Sequence, residues 1–131
     1  MRLRMTRLTL LYALLFLTVV WAADTGHLPT VAERIQDVPY VDKVIHFLMF
    51  GLLSLGANLS LADNRSWSPG RAILTGSILV AIVATLDEGS NLVVANRSWS
   101  LGDLAANYAG VLCMGVVPLW GWRSKVDSPV V

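Results

Sequence analysis

Charged residues are scarce in this chain of 131 residues. Lysine and arginine number 10, aspartate and glutamate number 9, and hydrophobic residues make up 55% of the sequence. A soluble domain of this length has a high ratio of surface to volume and needs more polar residues to cover it. The net charge of +1, without a basic cluster, argues against a nucleic-acid partner. The mean hydropathy of +0.60 is instead typical of helices that face lipid.

Cysteine is also scarce, since Cys113 is the only one in the chain. The protein therefore has no disulfide framework and no cysteine metal motif. Cys113 lies in an apolar stretch, where we expect it to pack as a small hydrophobic side chain. The pattern H-E-x-x-H and other closely spaced sets of metal ligands are missing as well. From the sequence we predict no metal site and no cofactor.

What the chain does contain is four apolar stretches, at approximately residues 8–23, 44–62, 72–94 and 103–122. A helix needs about 20 residues, within a range of about 17–25, to cross the hydrocarbon core of a bilayer. The third stretch reaches that length only if its helix continues through Asp87 and Glu88. We predict an all-α integral membrane bundle of four transmembrane helices, which forms a single domain over the whole chain.

Two features before the second span admit alternatives. Val31, Ile35 and Val38 have the spacing of one apolar helix face, which predicts a short interfacial helix between spans one and two. An ordered loop above the polar end of the bundle would use the same residues. The basic N-terminus, the short first apolar run and residues 20–22 also resemble a cleavable signal peptide. We predict that the first span is retained.

Two helix starts are marked by a repeated pentapeptide. The sequence Asn-Arg-Ser-Trp-Ser ends at Ser68 and again at Ser100, in each case directly before a predicted span. Ser68 is followed by Pro69, and Ser100 is followed three residues later by Asp103. Serine before proline and the S-x-x-D pattern are both typical of helix N-caps. We therefore expect the third and fourth helices to begin there.

Basic residues are distributed unevenly between the two ends of the four spans. If all four segments cross, seven of the ten lie at the end that holds both termini. The positive-inside rule then places both termini in the cytoplasm. The other three are Arg34, Lys43 and Arg97, which are accordingly predicted to be extracytoplasmic.

Polar side chains lie at this extracytoplasmic end of three spans. Those of the second and fourth spans are spaced about one helical turn apart, so each set shares a helix face. Ionisable groups near hydrocarbon are expensive and are usually paired or functional. A bundle that hides these stripes from lipid must turn them toward each other, which predicts one assembled site. The candidate ligand-binding residues are Asp42, Lys43, His46, Glu88, Asn91, Arg97, Asp103 and Asn107.

Within this site we expect the two adjacent acids of the third span to behave differently. Neighbouring residues point about 100° apart on a helix. We expect Glu88 to face inward with Asn91 and to have Arg97 as its counter-charge, while Asp87 lies at the rim. A purely structural ion pair between Glu88 and Arg97 explains the same residues.

The remaining candidates also have two interpretations. His46 with Asp42 one turn away fits an oriented base or a proton carrier, and equally a histidine satisfied in the interior. Asp103 and Asn107 fit a binding site, and equally a helix cap with an interhelical hydrogen bond. An ion pair between Asp103 and Lys43 would be structural.

The order of the polar residues is itself a pattern: Asp42-Lys43-x-x-His46, Glu88-x-x-Asn91, Arg97, and Asp103-x-x-x-Asn107-x-x-Gly110. Over roughly residues 40–115 it resembles the VanZ-like family of small multi-span bacterial membrane proteins. It departs from that family at Asn91, where glutamine is more frequent. The resemblance implies a protein of the bacterial inner membrane. The family is named for a member associated with teicoplanin resistance, so a link to glycopeptide resistance is an expectation, although family and activity are separate claims.

For the function we predict the binding or handling of a cell-envelope component, such as a lipid-linked or glycan headgroup. Arg97 and Lys43 would hold an anion, and Glu88, Asp103 and Asn107 would hydrogen-bond hydroxyls. The expected partners are the lipid bilayer and this envelope ligand, with no nucleic acid and an oligomeric state that is open. The alternatives are a metal-dependent hydrolase or transferase, a small proton-coupled carrier, and a non-catalytic structural subunit.

Overall fold

The computed structural model describes residues 2–27, 29–30, 34, 38, 40–63, 66–95 and 97–119, and within these ranges it contains helices and no strand. The helices are α1 (Arg2–Asp24), α2 (Val41–Ala62), α3 (Pro69–Ser90) and α4 (Leu101–Gly115). Four segments are long and apolar enough to cross a membrane, the last of them running to Leu119. The predicted all-α bundle of four membrane-length helices is confirmed.

The third helix reaches spanning length in a way that differs from the prediction. We expected it to run from residue 72 toward Val94, but it begins at Pro69 and ends at Ser90, 22 residues in all. The difference arises because the predicted N-cap starts the helix before the apolar run begins. The helix still contains Asp87 and Glu88.

Both predicted serine caps are confirmed. The side chain of Ser68 accepts a hydrogen bond from the Arg71 backbone N–H, and that of Ser100 accepts one from the Asp103 backbone N–H, each at 3.3 Å. Each bond satisfies a backbone donor that the first helical turn leaves without an intrahelical acceptor. The repeated pentapeptide therefore has a structural use in both places.

Helix α2 is the centre of the bundle. It packs against α1, α3 and α4, whereas α1 contacts α2 alone among the four helices. Close approach to α4 depends on Gly110, because a Cβ there would meet the backbone carbonyl of Phe47. Small residues at such crossings are the usual basis of helix packing in membranes. The buried apolar core contains Phe16, Phe50, Leu53, Val80, Ala84 and Val111.

Helix α1 is attached to α2 by side-chain contacts along its length. Thr9 donates a hydrogen bond to the Gly56 carbonyl at 3.1 Å, and the Tyr12 hydroxyl donates one to the Met49 carbonyl at 2.9 Å. The ring of Phe16 meets Phe50 edge to face, with centroids 5.0 Å apart. Cleavage of the first span would remove these contacts, and its retention stays a prediction.

Two sequence expectations fall largely outside the described residues. The interfacial helix between the first two spans depends on positions 31 and 35, which are not described, while Val38 is exposed at a bend. The end of the fourth span, residues 120–122, also lies outside the described ranges.

Candidate functional site

The polar ends of α2, α3 and α4 lie together at one end of the bundle. His46 Nδ1 on α2 lies 3.0 Å from Asn107 Oδ1 on α4. Glu88 on α3 accepts a hydrogen bond through Oε1 from the backbone N–H of Ser100, which precedes α4, at 2.7 Å. The structure therefore brings together two side chains that are 61 residues apart in the sequence, and a side chain and a backbone N–H that are 12 residues apart.

Lys43 lies between two carboxylates at the outer part of this end. Its Nζ is 2.9 Å from Asp42 Oδ2 and 3.0 Å from Asp103 Oδ1. The Lys43 side chain is 38% exposed, so water screens both ion pairs. This is the structural pair between Asp103 and Lys43 that we considered from the sequence. Lys43 also engages the carboxylate of Asp42, which one of our two interpretations had paired with His46.

Arg97 has different partners from the one that we expected. Its Nη1 is 3.1 Å from Asp87 Oδ1 and 3.1 Å from Asp24 Oδ1, and its Nη2 is 3.5 Å from Asp87 Oδ2. Burial alone would lower the pKa of Arg97, but the two carboxylates more than offset it and raise that pKa above its ordinary value. The expectation that Arg97 neutralises Glu88 was therefore wrong.

The expected position of Asp87 at the rim was also wrong, because only 7% of its side chain is exposed. The physical reason is the path of the segment between α3 and α4. This segment turns back toward the end of α1, and Arg97 then meets the acid on that side of α3, together with Asp24. Glu88, about 100° away around the helix, faces the N-terminal end of α4 instead.

Glu88 is buried, as expected, with 1% of its surface exposed. Only one of its carboxylate oxygens is paired: Oε1 accepts from Ser100, while Oε2 has no hydrogen-bond partner among the described residues. A buried carboxylate needs a counter-charge, a proton or hydrogen bonds to be stable. Within the described part of the chain, Oε2 has neither a hydrogen-bond partner nor an ion pair.

Two amide side chains at the same end of the bundle also have a buried atom without a partner. Asn91 Oδ1 and Asn107 Nδ2 are buried without a hydrogen-bond partner in the described part of the chain. Asn91 is 5% exposed and Asn107 is not exposed at all. An unsatisfied buried polar group costs about 1–3 kcal/mol, so a native fold keeps few of them. Three such atoms lie at this end of the small bundle, which makes it the candidate ligand site.

The ring of His46 is oriented by Asn107. Because Asn107 Oδ1 can only accept, His46 Nδ1 must carry the hydrogen. In the neutral ring this leaves the lone pair on Nε2. His46 is half-buried, and in the tautomer that donates through Nδ1 its Nε2 has the chemistry of a base or a metal ligand.

From the sequence we considered a metal centre of three acids and a histidine only as an alternative, and we did not identify the group of three potential metal ligands that the structure brings together. His46, Asp87 and Glu88 each offer one ligand atom, and these atoms all lie within 4.8 Å of one another. Asp87 was not among our candidate binding residues, because we expected it at the rim. The ligands come from two helices, so no spacing motif within one segment could have indicated them.

A second polar cluster, also missed, lies between the helices farther along α2. Asn58 Nδ2 donates to Ser77 Oγ at 3.0 Å and to the Gly115 carbonyl at 2.8 Å, and Ser54 donates to the Val111 carbonyl at 3.3 Å. Asn58 follows His46 by 12 residues, or about 18 Å of helix. The spacing of Ser54 and Asn58 by one turn was the available signal, but both residues fall within an apolar run.

Comparisons with known proteins add nothing to these observations, since no family model, no curated protein and no solved structure matches this chain. Any function must therefore be argued from the polar end itself.

Proposed function

We propose that this protein is a VanZ-like protein of the bacterial inner membrane, whose extracytoplasmic end binds the hydroxyl-bearing headgroup of a cell-envelope component. The observation that supports this most directly is the set of three buried, unpaired atoms: Glu88 Oε2, Asn91 Oδ1 and Asn107 Nδ2. Four helices are long and apolar enough to cross a membrane, and at the end of such a bundle lipid headgroups are the nearest molecules that could meet these atoms.

The chemistry of the unpaired atoms favours hydroxyl groups. Two of them, on Glu88 and Asn91, are acceptors, and the third, on Asn107, is a donor. A hydroxyl both donates and accepts, so a sugar or another polyol supplies partners for all three atoms. An aliphatic chain supplies none. A glycan headgroup therefore recovers the free energy that the unliganded protein forgoes at these positions.

Recognition of a phosphate is less favoured by the same contacts. Our sequence interpretation gave Arg97 and Lys43 the task of holding an anion. In the structure Arg97 is shared by Asp24 and Asp87, and Lys43 is shared by Asp42 and Asp103. An anion would compete with carboxylates that are already in place for both cations.

The experiment compares two lipids with identical acyl chains in nanodiscs that contain the purified full-length protein. One is monoglucosyl diacylglycerol, whose headgroup has hydroxyls and no charge; the other is phosphatidic acid, whose headgroup has charge and no sugar. We expect native mass spectrometry to show preferential retention of the glucosyl lipid. Asn91→Ala removes one acceptor and should weaken that retention about fivefold to tenfold, which is about 1–1.4 kcal/mol.

Asn58→Ala is the matched control, because it also removes a buried amide with an unpaired oxygen, but in the second polar cluster. It should leave lipid retention unchanged. Equal retention of the two lipids by the wild type, or preferential retention of phosphatidic acid, would contradict the proposal. Equal losses from Asn91→Ala and Asn58→Ala would show that the effect is on folding.

The proposed orientation, with both termini in the cytoplasm, rests on the positive-inside rule. Ser66 lies between α2 and α3 and Ser98 lies between α3 and α4, and both are exposed. In a Cys113→Ala background, Ser98→Cys should react with a membrane-impermeant maleimide in spheroplasts. Ser66→Cys should react only after the membrane is opened. The reverse pattern would turn the polar end toward the cytoplasm.

A further inference from the structure

We propose that His46, Asp87 and Glu88 bind a divalent first-row transition metal, with Zn²⁺ and Mn²⁺ as the best candidates. One potential ligand atom from each residue lies within 4.8 Å of the other two. In tetrahedral geometry with bonds of about 2.0–2.2 Å, ligand atoms lie about 3.3–3.6 Å apart. Side-chain movements of about 1 Å would therefore close the site.

The first supporting observation is the orientation of His46. Its Nδ1 is 3.0 Å from Asn107 Oδ1, which accepts the Nδ1 hydrogen and leaves the Nε2 lone pair free. Metal-binding histidines almost always donate their other ring N–H to a carbonyl or carboxylate oxygen in this way, which fixes the tautomer and the ring plane. Asn107 has that positioning role here.

The second observation is independent of the first and concerns Glu88. Its side chain is 1% exposed, and Oε2 has no hydrogen-bond partner among the described residues, although Oε1 is bonded to the Ser100 backbone. The Ser100 N–H holds the carboxylate in place while the second oxygen remains available. A metal ion would satisfy that oxygen without a further hydrogen-bond donor.

The net charge of the side chains around this site also favours a divalent cation. The Arg97 guanidinium is shared by Asp24 and Asp87, and Glu88, next to Asp87, has no ion pair with it among the described residues; the four groups together carry a net charge of −2 when all are ionised. A divalent cation brings this sum to zero. Arg97 need not leave, because a carboxylate oxygen has two lone pairs and can accept from a guanidinium while it binds an ion. Arg97 would then orient Asp87 as Asn107 orients His46.

The ligand set favours the class of metal. One imidazole nitrogen and two carboxylate oxygens suit zinc and manganese, whereas calcium and magnesium prefer sites made of oxygen alone. Three protein ligands also leave a coordination position for water or another ligand. This inference goes beyond the proposed headgroup function. The two proposals share Glu88, but the zinc measurements involve no lipid and Asn91 takes no part in the metal site, so each can fail without the other.

The experiment measures metal content and affinity of the full-length protein in detergent, in a Cys113→Ala background that removes the only thiol. After chelation and re-equilibration with micromolar free Zn²⁺, elemental analysis should find about one zinc ion per chain. His46→Gln, Asp87→Asn and Glu88→Gln should each weaken zinc binding by at least tenfold, since loss of supporting groups alone typically costs 10–100-fold. Mg²⁺ and Ca²⁺ should not compete at equal concentration.

Two matched control variants distinguish this site from nonspecific zinc binding elsewhere on the protein. His27→Gln removes the other histidine, and Asp42→Asn removes a carboxylate at the same end of the bundle that belongs to the ion pair with Lys43. Both should retain zinc. The proposal is overturned if the wild type binds no zinc at this concentration, if His27→Gln loses as much as His46→Gln, or if Glu88→Gln keeps full affinity.

Two measurements on the wild-type protein test zinc binding even if one of the variants fails to fold. Zinc should raise the unfolding temperature of the wild type, because a ligand that binds only the folded state stabilises it. The Co²⁺-loaded wild type should show the visible absorption of a nitrogen- and oxygen-ligated ion. Absence of both signals overturns the proposal. These readouts involve no headgroup, so failure here leaves the lipid experiment intact, and the reverse is also true.

Discussion

The two polar clusters of this bundle differ in how completely their hydrogen bonds are made. Around Asn58 the amide donors reach a serine hydroxyl and a helix carbonyl, and one amide oxygen is unpaired. At the end that contains Glu88, three atoms are buried without partners in the described part of the chain, next to ionised groups. The two clusters therefore differ in how many buried atoms lack a partner, three against one, and not in polarity as such.

The largest effect is expected from Arg97→Gln, which tests the charged end. Arg97 is shared by Asp24 and Asp87, and the Asp87 side chain is 7% exposed. Loss of one partner of a fully buried pair costs about 3–5 kcal/mol. Because Arg97 and Asp24 are partly exposed, we expect about 2–3 kcal/mol.

The free energy of unfolding of Arg97→Gln can be measured by SDS titration or steric trapping in bicelles. Arg71→Gln is the control, since Arg71 is exposed and stacks on Trp67 at 4.9 Å from the ring centroid. It should cost well under 1 kcal/mol. Similar losses for the two variants would show that the ion pairs at the polar end carry no special weight.

A smaller effect is expected from Gly110→Ala, which should push α2 and α4 apart. Both polar clusters include residues of these two helices. The new Cβ would meet the backbone carbonyl of Phe47 and would lie 3.1 Å from the Gly51 nitrogen. Overpacking of this kind costs about 1–3 kcal/mol. Gly89→Ala is the matched control, because nothing lies within 4 Å of its Cβ position.

Gly89 lies on α3, where alanine is the better helix former, so its variant should be as stable as the wild type or slightly more so. Unfolding measurements on both glycine variants check this. Equal stability of Gly110→Ala and the wild type would contradict the close contact of α2 with α4.

The smallest effects, but the most informative ones, are those of Asn58→Ala and Asn91→Ala on stability. Asn58→Ala removes two hydrogen bonds and should cost about 1–2 kcal/mol. Asn91→Ala removes an unpaired oxygen, and relief of that cost should offset the lost packing to within about 0.5 kcal/mol. Thermal unfolding without added lipid measures both. If Asn91→Ala is the more destabilising, the contrast between the two clusters fails.

Much of this architecture is predictable because helix periodicity and caps are local. Ser68 and Ser100 cap α3 and α4 where the sequence indicates. The inward direction of Glu88 and its separation from Asp87 also follow from the turn of a single helix.

The partners of Arg97 are not predictable in this way. They depend on the path of the segment between α3 and α4, which has no helical periodicity from which its direction could be predicted. They also depend on Asp24, at the end of another helix. The three potential metal ligands depend equally on how α2 and α3 are rotated against each other. Asn58 went unnoticed for a simpler reason, since an uncharged polar residue hardly lowers the hydropathy of an apolar run.

The pair between Arg97 and Asp24 has a consequence for synthesis. The two residues are separated by 73 positions, so the first carboxylate emerges from the ribosome long before the guanidinium that neutralises it. The contact between Arg97 and Asp24 can therefore form only after the third helix and the segment that follows it have been made. The link that joins the end of the first helix to the third is thus one of the later contacts to form during synthesis of this small protein.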